Sequence, residues 1–249
     1  MKILFTLLLS VMTFCGCRGG NAMSDIDYSE DFASPKEVEL VKAIAAGDLN
    51  EIRRLSVSGV NLNCVGKYED TPLRVAVKLK QKPVLKLLFE LGVDPNSKTS
   101  KGTVAAADDA VMEKNPEYLK CFLDFGLDPN LKTNDGVSLI FIAVSRENWP
   151  QYDMLLAHGA NINSKLPDGS SLLLDLVMQM EYDRAKDLLL KGADFRGKSM
   201  HGFTVLGELI DYQRRFCSDP GLPDCRKRAE LLQLLQQRGA SVPAGLPCM

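Results

Sequence analysis

The chain has 249 residues, 45% hydrophobic and 25% charged, with 30 basic and 32 acidic side chains for a net charge near −2. That length suits one or two packed domains, the composition is too apolar for a disordered chain, and the balance lacks the basic excess a nucleic-acid partner requires. At the N-terminus, Lys2 precedes an apolar run from Ile3 to Met12, and the small residue Gly16 stands just before Cys17. A bilayer takes about 20 apolar residues to cross, so this shorter run predicts a removed secretion signal over residues 1–16 and not a membrane helix.

Phe14-Cys15-Gly16-Cys17 resembles the cleavage box of bacterial lipoproteins, although Phe14 stands where Leu is usual. The resemblance implies cleavage before Cys17 and lipidation of Cys17, with the membrane reached through that anchor alone. A competing cut after Gly20-Asn21-Ala22 would release a soluble protein. At about 0.8 kcal/mol per buried methylene, several acyl chains on Cys17 hold where one would not. Residues 17–33 read as a tether, polar and acidic through Asp25, Asp27, Glu30 and Asp31. Arg18 beside the lipid Cys, with no Asp there, resembles lipoproteins sent to an outer membrane. Loss of residues 1–16 removes Lys2 and no acid, moving the net charge from −2 to −3. At the other end Arg214, Arg215, Arg226, Lys227, Arg228 and Arg238 crowd together, and solvated helix faces are the default expectation for such a run.

Between these ends the sequence is periodic. LSVSGVNLN, LFELGVDPN, FLDFGLDPN, LLAHGANIN and LLLKGADFR each close an apolar helical stretch with a glycine: Gly59, Gly92, Gly126, Gly159 and Gly192, spaced by 33, 34, 33 and 33. A sixth, Gly239 in LLQQRGASV, follows after 47, which implies an insert in the last unit, placed at residues 212–228. Asp70-Thr71-Pro72-Leu73 follows its glycine as Asp135-Gly136-Val137-Ser138-Leu139, Asp168-Gly169-Ser170-Ser171-Leu172 and His201-Gly202-Phe203-Thr204 follow theirs. On these landmarks residues 34–242 resemble ankyrin repeats, whose unit is a turn opening with Thr-Pro-Leu, two antiparallel helices and a terminating Gly. The resemblance implies an all-α solenoid of about six helix-turn-helix units, with residues 243–249 as a tail. In the third unit Thr103-Val104-Ala105 places the motif one residue early.

Local chemistry agrees. Glycine ends a helix in left-handed backbone at low cost, and Pro83, Pro116 and Pro150 stand where three second helices should begin, where a missing N–H is harmless. Ser34-Pro35-Lys36-Glu37 predicts a capping box at the first helix. Leu85, Leu87 and Leu88, then Leu119, Cys121 and Phe122, then Leu231, Leu232, Leu234 and Leu235 mark buried stripes on second helices.

GADFRGKS, Gly192 to Ser199, fits a phosphate-loop pattern, but such a loop needs a strand before it and a helix after it. Here the helix comes first, so no nucleotide site is predicted. Lys198 stands six residues after its glycine, as do Lys98, Lys132 and Lys165, which predicts a basic row on successive fingertips about 10 Å apart. Tyr68 and Met200 are further fingertip candidates. Trp149, the single tryptophan, is placed in the turn between the helices of the fourth unit, either as a lid on that pair or as an anchor for a partner.

Enzyme signatures are thin. His158 and His201 are the two histidines, and neither has a Cys or carboxylate at ligand or triad spacing. Neither a catalytic site nor a metal or cofactor is predicted. Cys121 falls on a buried stripe, whereas Cys217 and Cys225 flank a turn-rich segment and are the predicted disulfide, with Cys248 as a competitor. The chain therefore reads as a non-enzymatic protein-binding module of the bacterial envelope, its contacts expected at Tyr68, Lys98, Lys132, Trp149, Lys165 and Lys198. Small repeat-bodied lipoproteins resemble immunity partners that block an incoming toxin. A scaffold for a resident periplasmic enzyme and an enzyme with an unrecognised site are the alternatives.

Overall fold

The computed structural model describes residues 30–99, 101, 102, 104–217, 219 and 221–246. The expected signal segment, Cys17, most of the tether, Thr103 and Cys248 lie outside them. The described residues form twelve helices in six antiparallel pairs. These are α1 (Pro35–Ala46) with α2 (Leu49–Val57), α3 (Pro72–Lys78) with α4 (Lys82–Glu90), and α5 (Ala105–Met112) with α6 (Glu117–Asp124). They continue as α7 (Leu139–Ser145) with α8 (Trp149–Ala157), α9 (Leu172–Met178) with α10 (Tyr182–Leu190), and α11 (Val205–Phe216) with α12 (Pro223–Gln237). The all-α solenoid expected from the periodic glycines is the architecture observed.

Helix starts follow the predicted chemistry. In the capping box, Glu37 N donates to Ser34 Oγ and Ser34 N donates to Glu37 Oε2, both at 3.2 Å. Thr71, Ser171 and Thr204 hydroxyls accept from the third backbone N–H of α3, α9 and α11, satisfying donors that the first turn leaves open. Pro83 and Pro150 sit in the first turns of α4 and α8, and Pro116 is the N-cap of α6. Gly192 ends the α10 unit at φ +97°, a conformation that strains any L side chain.

The third unit starts in register, contrary to the early start expected from Thr103. Val104 is the N-cap of α5, twelve residues after Gly92, as Thr71 is after Gly59 and Ser138 after Gly126. Val104 has no hydroxyl to advertise that role. The extra residue of the 34-residue spacing lies instead after α5, where Glu113 is extended and Gln151 Nε2 donates to its carbonyl at 2.6 Å. The three seven-residue first helices turn differently: Lys80, Glu147 and Met180 take left-handed backbone at φ 57°, 53° and 64°.

First helices stack on one another, α1 on α3, α3 on α5, α5 on α7 and α9 on α11, and the buried side chains form one core from Phe32 to Leu246. A polar ladder ties the loop ends. Asn96 Nδ2 donates to the Gly126 carbonyl and Asn96 Oδ1 accepts from Asp128 N, at 3.0 and 2.7 Å. Asn130 repeats this with Gly159 and Asn161 at 3.2 and 2.8 Å, and Asn163 Oδ1 accepts from Asp194 N at 2.8 Å. Both ends of the packed body reach past their expected boundaries. Asp31 and Phe32, assigned to the tether, are buried, and Leu246, assigned to the tail, is buried too. The insert of the last unit is absorbed mostly as longer helices, α11 with 12 residues and α12 with 15.

Two stability effects follow. Asn130→Ala removes two bonds to the next unit, and thermal or urea unfolding should show a loss of about 1–2 kcal/mol. Glu147→Gly places an unstrained residue at a left-handed position on the surface and should stabilise by about 0.5–1 kcal/mol in the same measurement.

Candidate functional site

Fingers are the most regular exposed feature. Isolated bridges pair Lys132 with Ser138, Lys165 with Ser171 and Lys198 with Thr204, so each lysine is held by backbone pairing to the N-cap of the next first helix. Thr133 N donates to Val137 O at 2.8 Å, Leu166 N to Ser170 O at 2.9 Å and Ser199 N to Phe203 O at 3.0 Å, closing each finger over a glycine at its tip. Successive fingers also bond to each other, Met200 N donating to Asp168 O at 2.7 Å. Lys98, Lys132, Lys165 and Lys198 are all exposed, and among the described residues none has an ion-pair partner. The four lysines of the expected row are thus exposed and without ion-pair partners among the described residues, three of them in the same backbone bridge.

Aromatic and apolar side chains flank the row. Tyr68, 73% exposed, stands on the first finger, and Met200, 78% exposed, on the last. The first finger is latched from below. Asp31 Oδ1 accepts from Tyr68 N at 3.1 Å and Asp31 O accepts from Lys67 N at 3.0 Å. A Cβ on Gly66 would lie 2.3 Å from Asp31 Oδ2, so glycine is required for the carboxylate to enter. That latch was not foreseen from the acidic N-terminal segment.

The first-helix face carries a second pattern. Arg74 joins neighbouring units, its Nε donating to Asp109 Oδ2 at 2.8 Å while Nη1 lies 3.4 Å from Asp70 Oδ1. Asp108, Asp175 and Glu208 each stand four residues after an N-cap, and Ile142 holds that register in the fourth unit. Burial pushes the Asp108 carboxyl up to about 6, with Asp109 adding to the rise and Arg74 opposing it, and leaves its Oδ1 without a hydrogen-bond partner. Burial likewise raises Asp175 to about 6, opposed by the Gln179 amide and reinforced by Asp168, and raises Glu208 more weakly.

Trp149 is the first residue of α8 and not part of the preceding turn. It is half-buried, with the Arg184 guanidinium 4.1 Å over its ring and Tyr152 edge-on at 6.0 Å. That bracing by α10 makes it a lid on its helix pair. Gly197, Lys198 and Ser199 lie in a finger, after α10 and six residues or more ahead of Val205, where α11 opens. Cys121 is buried, as its stripe predicts, and so are Cys217 and Cys225. Each of the latter two contacts one member of a bonded polar pair, Gln213 Nε2 lying 3.4 Å from Cys217 Sγ and Arg228 Nη2 3.4 Å from Cys225 Sγ. Arg228 departs from the solvated helix face expected of its basic cluster, being buried with the Tyr182 hydroxyl and Gln213. The sequence signal was present: Cys225, Arg228, Ala229, Leu232 and Leu235 share one helical stripe.

Fold and surface together define an ankyrin-repeat stack, a class of module for protein–protein interaction. Among solved structures, the ankyrin repeat domain of Bcl-3, described as a unique member of the IkappaB protein family, matches with a TM-score of 0.65 and 26% identity, over 88% of this chain and 91% of that chain. No family model matches, and no curated protein does. With 450 solved chains matching this shape, architecture alone does not select a partner.

The raised carboxyls set a pH dependence. A folded pKa near 6 for Asp175, against 3.8 for an unperturbed aspartate, means the folded state holds the proton more tightly. Stability therefore falls as pH rises from about 4 through 6 and stays lower above. Asp175→Asn keeps an acceptor for Gln179 and should be more stable than the unaltered chain at pH 8, by on the order of 1–2 kcal/mol, with the gap closing at pH 4. Urea unfolding at the two pH values measures it.

Proposed function

We propose that this chain is an envelope-tethered protein-binding module that meets an acidic surface of its partner with the finger row. In this reading residues 1–16 direct export, Cys17 carries the acyl anchor, and the stack stands off the membrane on the tether. The observation that carries the reading is the set of four exposed finger lysines without ion-pair partners among the described residues, three of them in the same backbone bridge, in a chain whose net charge is negative. A prealigned row loses little conformational freedom on binding, and its cations steer an acidic partner toward it.

The finer reading is an immunity-type role, in which the module intercepts an incoming toxin at the membrane. It rests on compartment and fold by analogy. An oxidising envelope would also join Cys217 to Cys225, closing the link between α11 and α12 and stabilising it by about 2–3 kcal/mol.

Capture from envelope extract with the unaltered chain and with Lys132→Glu/Lys165→Glu tests the contact. The double variant should keep its helical circular dichroism, bind the partner about tenfold or more weakly, and lose much of the salt dependence. Equal capture by both forms would remove the row from the interface. A partner seen in unstressed cells indicates a resident enzyme, whereas one seen only beside a competitor indicates a toxin. Mass measurement of the mature N-terminus completes the test: an acylated Cys17 is expected, and an unmodified start at Met23 would refute the anchor.

A further inference from the structure

The last unit overhangs its neighbour. α9 ends at Met178, while α11 runs on to Phe216 and α12 is longer than α10, so the terminal turn of α11 has no first helix beside it. Between this overhang and the hinge joining α9 to α10 lies an open groove of about 570 Å3, walled by Met178, Met180, Tyr212, Phe216 and Leu222. Its walls are wet: Met180, Phe216 and Leu222 are each about half exposed.

At the base of this groove lies Arg228, 4% exposed. Its Nε donates to Gln213 Oε1 at 3.2 Å, its Nη1 to the Tyr182 hydroxyl at 3.2 Å and its Nη2 to Cys225 Sγ at 3.4 Å. Among the described residues no carboxylate lies within ion-pair distance of it. A guanidinium keeps its proton under all ordinary conditions and has five N–H donors, so a buried charge is balanced here only by neutral dipoles. Asp224, one turn before Arg228 on α12, lines the groove and is exposed at its rim.

Apolar walls over an uncompensated cation complement a ligand with an apolar body and one anionic group. Methionine, phenylalanine and leucine side chains offer nothing to the N–H and C=O groups of a peptide, which would be desolvated without replacement. An alkyl chain has no such groups to satisfy. We infer that the groove binds a fatty carboxylate, its chain along Met178, Met180 and Phe216 and its carboxylate drawn to Arg228 beneath Asp224. This site is separate from the finger row and does not depend on the protein-binding reading.

Methionine-methyl NMR of the full chain, titrated with dodecanoate and separately with dodecanol below their aggregation thresholds, reads the site directly. The Met178 and Met180 methyl signals should shift saturably, and the acid should bind about tenfold more tightly than the alcohol, the worth of a charged hydrogen bond. Arg228→Gln should bring the acid down to the affinity of the alcohol, Asp224→Asn should tighten it, and Phe216→Asp should abolish both. Equal affinity for acid and alcohol in the unaltered chain overturns the inference, and needs no Arg228 variant to fold. So does the absence of methyl shifts at millimolar dodecanoate. Ligand-free shifts that grow with protein concentration and vanish in Phe216→Asp would also overturn it, assigning the groove to a second copy of the chain.

Discussion

A seven-residue helix is only about 10 Å long and has almost no stability alone, because the cost of the first turn is spread over so few bonds. Three of the first helices here, α3, α7 and α9, have that length, and each is buried over most of its surface. Such helices exist only because the next unit covers the face that water would otherwise see. Everything else in the molecule follows from keeping neighbours at a fixed spacing. The left-handed residue after each second helix reverses the chain in the least length, and the Asn96, Asn130 and Asn163 ladder fixes the rise from one loop to the next. Where the spacing is broken, after α5, side chains from the following unit fill the gap by capping exposed carbonyls.

Much of this was legible in the sequence, because it is carried by residues whose chemistry is local. The periodic glycines, the Ser34–Glu37 box and the early prolines each act within a few residues, and each stands where expected. The third unit misled for the same reason in reverse. Thr103 has the hydroxyl that usually marks a helix start, but packing of the stack sets the start at Val104, which has none. The Asn ladder was visible as Asn four residues after four of the glycines, yet the partners of Asn96, Asn130 and Asn163 belong to the neighbouring unit, which a single repeat does not show. Trp149 stood out as the single tryptophan beside a turn, but its role as a lid depends on Arg184 from the next unit. Arg228 illustrates the limit most sharply: it belongs to a basic cluster by composition and to an apolar stripe by spacing, and spacing decided its burial.

The two ends of a stack face a different problem from the middle, since each has an uncovered face. At the N-terminal end Phe32 lies in the core, and Asp31 bonds the first finger while a side chain at Gly66 would exclude it. The segment leading toward the predicted anchor is therefore the same one that holds Tyr68 in place. At the C-terminal end Leu246 folds back onto the core, and α11 and α12 gain length instead of another neighbour. Phe216 on that added length and Leu222 at the N-cap of α12 are left about half exposed.

Charge is sorted by position in the same way. On the outer helices, cations meet acids of a neighbouring unit: Lys82 with Glu117 and Lys186 with Glu230 of the next at 2.6 Å, and Arg184 with Asp153 of the preceding one at 3.4 Å. Pairs this exposed add little to stability, about 0–1 kcal/mol each, but they cancel the field that their members would otherwise project. The four finger lysines have no such partners among the described residues, although Glu69, Asp135 and Asp168 stand in the same fingers and Lys101 lies 3.9 Å from Glu69. A chain with more acids than bases thus still presents four exposed finger lysines without ion-pair partners among the described residues, three of them set in the same backbone bridge from unit to unit. Regular spacing, imposed to bury short helices, is what turns four separate lysines into a surface with a direction.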